Sequence, residues 1–338
     1  MLLKEDGSVW STPLGLHGHS FPDDNHERFA KVIPNGAVAI GAGIGYGVVL
    51  MEDGSIWAAG RNARGQLGDG TKISKDTFLH TLKIPGAKAL AVGGRHTLVV
   101  TQEGRVWATG WNKYGQLGGA VLAYRSRFFE VISNRVEAVA AGDMHSVVLK
   151  DDRSVWAAGR NWYGELGDGS RTDRHNFIPV IISGATDIAA GGSHSMVRKK
   201  DGSVWATGWN GNGQLGDGSN TDKTSYLQVV SSGAKTVVAG KRHSMMLKED
   251  GSVWATGYNG FGQLGDGWET DTTSFVKVIA RGAKLVAAGA FHSMVVKQDG
   301  SIWVTGSNRE GQYGDGSQIS ERTFVKISPF GNGAELYA

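Results

Sequence analysis

A chain of 338 residues with 40% apolar content can bury a sizeable core, and a net charge of +3 spread over scattered Lys and Arg offers no basic tract to follow a phosphate backbone. The absence of cysteine excludes disulfides, thiolate metal sites and a cysteine nucleophile. No apolar run approaches the ~18 residues of a membrane helix and no signal peptide is visible, so a soluble protein of open localisation is expected.

One stretch recurs down almost the whole chain. Its Trp falls at Trp10, Trp57, Trp107, Trp156, Trp205, Trp254 and Trp303, and its His at His96, His145, His194, His243 and His292, with Tyr46 in the corresponding earlier slot. The His spacing is always 49 residues, and a fixed period of this length signals a repeat architecture. The 52 glycines sit at fixed places in the repeat, so they punctuate turns and do not signal disorder.

Each repeat is predicted to hold four short strands. The first follows the His, as at 293–297, and ends in Asp-Gly, a strong hairpin signal because both central residues of its turn need positive φ. Asp-Gly recurs at Asp6, Asp53, Asp201, Asp250 and Asp299. Glu103-Gly104 is a near match, whereas Arg153 after Asp152 has to take positive φ at a cost or use another turn. The second strand carries the Trp in a β-branched and aromatic run. A Gly- and Asn-rich loop follows, as at 210–222, then a third strand (226–230, 275–279). A Ser-Gly-Ala or Arg-Gly-Ala turn leads to the fourth strand (283–289), and Gly-x-x-His restarts the cycle.

Sequential hairpins make one antiparallel sheet, so the long loop is expected to be where the chain crosses to the next sheet. Seven such units without polar caps predict an all-β, seven-bladed β-propeller of four-stranded antiparallel blades, one domain over 1–338. The chain starts with strands one and two and finishes with three and four. The terminal strands are therefore expected to share a closing blade built from 1–12 plus 323–338. Two loops depart from the repeat, at 11–29 and 118–128.

Gly-x-x-His, then Leu-Lys-x-Asp-Gly-x-Val-Trp, then Gly-x-Asn-x-x-Gly-Gln-Leu-Gly resembles the regulator-of-chromosome-condensation repeat, over essentially the whole chain. That resemblance implies a seven-bladed propeller sealed by shared termini. Founding members of the family catalyse nucleotide exchange on a small nuclear GTPase with a protruding wedge, and no hairpin insertion of that kind is seen here. Plant ultraviolet-B photoreceptors of the family carry Trp in the Gly-x-x-His turn. Here those turns read Gly94-Arg95, Asp143-Met144, Gly192-Ser193, Lys241-Arg242 and Ala290-Phe291, which argues against photoreception. Other relatives are plain binding propellers, including a bacterial inhibitor of β-lactamases and modules of larger ligases.

The periodic residues read as structure. Trp57, Trp107, Trp156, Trp205, Trp254 and Trp303 are expected to pack between neighbouring sheets. The periodic His are expected to be neutral, their ring nitrogens bonded to backbone near their own turns, since metal ligands must converge on one ion and Tyr46 shares their slot. Asp168 to Asp173 and Asp217 to Asp222 faintly resemble a Ca²⁺ loop but lack its alternating ligands and distal Glu, so Asx turns are the expected reading. His17, His19, Asp23, Asp24 and His26 form the only non-periodic His/Asp cluster, by default an exposed polar loop. Gly-Gln-Leu-Gly lacks the Lys and helix of a phosphate loop, and no catalytic set stands out, so no metal, no cofactor and no enzymatic activity are expected.

The variable positions carry the remaining signal. Flanking the fixed Asn of the long loops stand Arg61, Arg64, Trp111, Tyr114, Arg160, Trp162, Tyr163, Trp209, Tyr258 and Phe261, the residue types that dominate interface hot spots, with about half expected to fold back on their own loops. The leading expectation is a non-enzymatic propeller that binds another protein through its long-loop face, alone or as a subunit or module of a larger assembly. A guanine-nucleotide exchange factor for a small GTPase is the alternative, and a carbohydrate-binding lectin the weaker one.

Overall fold

The computed structural model describes residues 1–12, 29–119, 123–181 and 183–328. Its strands form seven antiparallel sheets, six of four strands and one of three among the described residues, the blades of an all-β propeller of the seven-bladed class. A complete blade takes its strands in chain order. Ala37–Gly43, Tyr46–Met51, Ser55–Gly60 and Lys75–Lys83 are one example. The hairpin between its second and third strands turns at Gly54, whose φ of 83° suits glycine, and Asp53 Oδ1 accepts from Ser55 N at 2.9 Å. At the departure from Asp-Gly, Arg153 adopts a φ of 68° and its guanidinium reaches Glu137 Oε2 at 2.6 Å.

The sheet boundaries differ from the sequence expectation. The long loop stays inside one sheet, since Ser55–Gly60 pairs with Lys75–Lys83 across it. The short turn at Ile84-Pro85-Gly86 makes the crossing to the next sheet, which opens with Ala87–Val92. The loop can close a hairpin because it coils on itself and returns its ends to one place. Of the expected closing blade, the C-terminal segment 329–338 lies outside the described residues. Glu321–Ile327 is the fourth strand of the blade that starts at Ala283–Ala288, while Leu2–Leu3 and Val9–Ser11 pair with Ala30–Ile33. Most of the irregular loop at 11–29 also lies outside the described residues.

The chain divides into two compact units, Met1–Arg160 with Thr172–Ser183, and Asn161–Arg171 with Gly184–Ala338. In the first, Tyr46, Val48, Leu50, Ile56 and Leu67 of one blade pack with Val99 and Trp107 of the next. Leu98, Val100, Val106 and Leu117 pack in turn with Val148 and Trp156. The second unit repeats the pattern: Met196, Val204 and Leu215 meet Met246 and Trp254, and Met245, Val253 and Leu264 meet Val295 and Trp303. Each half-buried Trp thus closes the face of the preceding blade. At Trp156 the indole N–H donates to Ser154 at 3.0 Å and Lys150 of the paired strand lies over the ring, 3.7 Å from the centroid, and the same two contacts recur at Trp205, Trp254 and Trp303.

The ring nitrogens of His96, His194 and His243 do not bond the backbone of their own turns, and each ring bonds a hydroxyl of the next blade instead. Nε2 of His96 lies 2.8 Å from Ser146 Oγ in the next blade; His194 meets Ser244 at 2.8 Å and His243 meets Ser293 at 3.0 Å. Each Ser hydroxyl donates to a carbonyl of the preceding long loop, Ser146 to Gln116 O at 2.6 Å, so it accepts the imidazole N–H. Tyr46 reaches across in the same way, its hydroxyl donating to His96 O at 2.7 Å. His145 is also buried, and His292 is partly so.

Nδ1 of His96, His194 and His243 is buried without a partner, so a second ring proton would find no acceptor. Burial holds His96 and His194 down at about 4. It lowers His243 to about 3, with His292 and His194 adding to the effect. These rings stay neutral in the folded chain, while the unfolded chain binds protons below its pKa of about 6.5, so stability falls as pH drops from there towards 4. Each ring is expected to withdraw about 3 kcal/mol across that window. Urea unfolding midpoints should be level above pH 7 and fall steeply below 6.5, and His243→Gln should flatten part of that slope. A midpoint independent of pH between 7 and 4.5 would contradict the assignment.

Candidate functional site

The long loops are built from their fixed residues inward. In the first unit Asn62 Oδ1 accepts from Leu67 N at 3.1 Å, and its Nδ2 donates to Asp69 Oδ1 at 2.9 Å. Asn210 and Asn259 do the same in the second unit with Leu215 and Asp217, and with Leu264 and Asp266. The coiled loop then lands on the next blade. Asp69 bridges Arg127, Asp217 bridges Ser274, and Thr109 Oγ1 stands 2.9 Å from Gly65 O. Gly65, at φ +76°, lies so close that a Cβ there would come within 2.5 Å of Ser126 Cα.

The Asp-Gly-Ser segments have their oxygens spent in the same way. Asp217 accepts from Asn210 Nδ2, from Ser219 N at 3.0 Å and from Lys223 Nζ at 3.0 Å. Among the described residues no group of three or more His, Cys, Asp or Glu is placed to hold a metal ion. The His17, His19, Asp23, Asp24 and His26 cluster lies outside the described residues. In the first unit Gly119 stands where other loops carry the bridging Asp. A hollow of about 410 Å³ opens there between Gly118, Trp156 and Asn176.

What the loops project are the residues beside the Asn. In the first unit Trp111 and Tyr114 meet edge to face at 5.5 Å, with Lys113 over Tyr114. Arg64 and Arg95 both lie over Trp111, at 5.5 and 5.3 Å from its centroid. Arg61 is exposed beside Gly45. Arg160, expected at the surface, is only 9% exposed, and its guanidinium packs on Met144 Sδ at 3.4 Å. In the second unit Trp162 is 50% exposed, and its carbonyl accepts from Arg171 at 3.0 Å. Tyr163 packs on Trp209 at 6.1 Å, and Arg242 lies 5.1 Å from Trp209 and 6.0 Å from Tyr258. Tyr258, Phe261 and Phe291 form an edge-to-face cluster, with Lys241 over Phe291 and Arg309 over Phe261.

Sequence reasoning missed Arg95, Lys241, Arg242, Phe291 and Arg309. Four of these are the variable residues inside the Gly-x-x-His turns. The other follows a fixed Asn. It also missed Trp268, 70% exposed on a long loop where the repeats otherwise carry Ser or Thr.

Scaffold and tip should therefore separate on mutation. Asn210→Ala is expected to cost about 2–4 kcal/mol in thermal or urea unfolding, because Leu215 N and Asp217 lose a buried partner. Trp162→Ala should stay within about 0.5 kcal/mol of the parent.

The sequence matches the family model of the RCC1-like domain over residues 1–279 and that of the regulator of chromosome condensation (RCC1) repeat over 283–312. No curated protein matches it. Among solved structures, human WBSCR16 is similar with a TM-score of 0.81 and 19% identity, covering 89% of this chain and 84% of that one. Yeast RCC1 (Prp20) bound to Kap60 superposes with a TM-score of 0.80 at 19% identity, covering 90% and 79%. Prp20p of Saccharomyces cerevisiae gives 0.76 at 21%, covering 88% and 78%. With loops, turns and blades arranged as that repeat requires, the chain belongs to the RCC1-like domain family.

Proposed function

We propose that this chain is a non-enzymatic protein-interaction propeller whose loop tips hold another protein. One observation carries the reading: the fixed residues of each long loop are consumed in folding it, and the positions left over present aromatic rings and cations instead of a catalytic set. Trp, Tyr and Arg in partly desolvated clusters are the residues on which protein interfaces concentrate their energy. Prp20p, a fold neighbour, is described by its binding to Gsp1p and histones, which supports protein partners for this fold. It also keeps nucleotide exchange on a small GTPase as the second reading.

The test is affinity capture from the source lysate with this chain beside a variant carrying Trp162→Ala, Tyr163→Ala and Trp209→Ala, both checked for equal melting temperature. A partner recovered by the parent and lost with the variant supports binding through the loop tips. Equal recovery on both overturns that assignment. If the partner is a GTPase, release of its labelled nucleotide should be unchanged by catalytic amounts of the parent chain. Acceleration would replace the first reading with the second.

A further inference from the structure

We propose that Arg64 and Arg95, stacked on the Trp111 indole of the first unit, form a carboxylate clamp for an acidic peptide segment of the partner. The inference rests on the protein-binding reading above and specifies what that surface recognises. Arg64 follows the fixed Asn62 in the long loop of one blade. Arg95 lies in the Gly-x-x-His turn of the next, and Trp111 ends that blade's strand Val106–Trp111. The fold thus brings two guanidinium groups onto one ring from stretches about thirty residues apart in sequence.

Their environment differs from that of the ion-paired arginines of the unit. Arg105, Arg135 and Arg153 each reach a carboxylate, at 3.3, 3.0 and 2.6 Å. Arg64 and Arg95 make no ion pair among the described residues. Asp143, the acidic residue of the adjoining turn, packs against Gly94. Two like charges on one indole repel each other unless an anion is shared between them, and Lys113 on the neighbouring Tyr114 adds a third. Stacking on a ring holds a guanidinium in place while leaving N–H edges that match a planar carboxylate bidentately. The device recurs in the second unit, where exposed Arg242 lies over Trp209 and Tyr258, also without an ion pair among the described residues.

Nucleic acid fits less well. The net charge is only +3, no basic tract exists, and Trp111 already carries two guanidinium groups where a base would stack. Carboxylates on an extended segment offer the planar acceptors that the arginines lack.

The test is fluorescence anisotropy with a labelled peptide alternating Glu and Gly, its Gln counterpart, and a labelled oligothymidylate, all at near-physiological salt. The parent chain should bind the Glu peptide saturably, with affinity falling as salt rises, and bind the Gln peptide at least ten-fold more weakly. Arg64→Ala with Arg95→Ala should weaken the Glu peptide about ten-fold or more at unchanged melting temperature. Arg64→Lys with Arg95→Lys should remain several-fold weaker than the parent, because charge is kept and the fork is lost. Equal binding of the Gln peptide, parental affinity in the Lys pair, or tighter binding of the oligothymidylate would each overturn the clamp. A partner lost with the Trp162, Tyr163 and Trp209 variant, together with no binding of the Glu peptide, rejects the clamp and leaves the protein-binding reading standing. Peptide binding beside equal capture by that variant keeps the clamp and overturns binding through Trp162, Tyr163 and Trp209.

Discussion

One buried hydroxyl per repeat ties consecutive blades within each unit together. Ser146, Ser244 and Ser293 each accept a proton from the imidazole of the preceding blade and give their own to a carbonyl of the preceding long loop. Thr97 takes the same place beside Tyr46 and donates to Gln66 O at 3.0 Å. A hydroxyl has one proton, so this arrangement dictates the tautomer of the His and keeps it neutral. It also dictates the glycine that opens the turn, since a Cβ at Gly93 would lie 2.4 Å from the His96 ring. A buried network of this kind stabilises only when every member is in register, which is the physical reason for a period held at 49 residues.

The long loop is the second tie, and it explains where freedom remains. Asn, Gln, Leu, Asp and the glycines fold the loop and seat it on the next blade, so they have little left to offer a ligand. The residues beside the Asn vary from repeat to repeat, Arg160 being drawn in against Met144 while Trp162 stays half exposed. Together with the two inner residues of the Gly-x-x-His turns they form clusters in which cations rest on aromatic rings. A rigid frame with variable tips is the usual division between fold and recognition.

The Trp positions show why periodicity alone does not mark a site. The ring of Trp303, like those of Trp156 and Trp254, is clamped between a Ser hydroxyl at its N–H and a Lys ammonium over its face, while its body closes the core of the preceding blade. Its exposed portion is the rim of a structural staple.

Much of this was legible in the residues alone. While the choice of positive φ at Arg153 over another turn came from the structure, the period, the Asp-Gly hairpins and the propeller class follow from local turn chemistry and apolar pattern, which act over a few residues. The sheet boundary did not, because loop length counts residues and says nothing of a loop that Asn62 coils until its ends meet. Neither did the partner of each His, because the Ser that receives it stands 50 residues further on. Arg160 looked like a surface residue by position and is buried against Met144. The pairing of Arg95 with Arg64 on one indole was likewise invisible, since it joins a turn and a loop that meet only when one blade packs on the next. Local chemistry determined the blade; packing between blades decided which side chains come together at its edge.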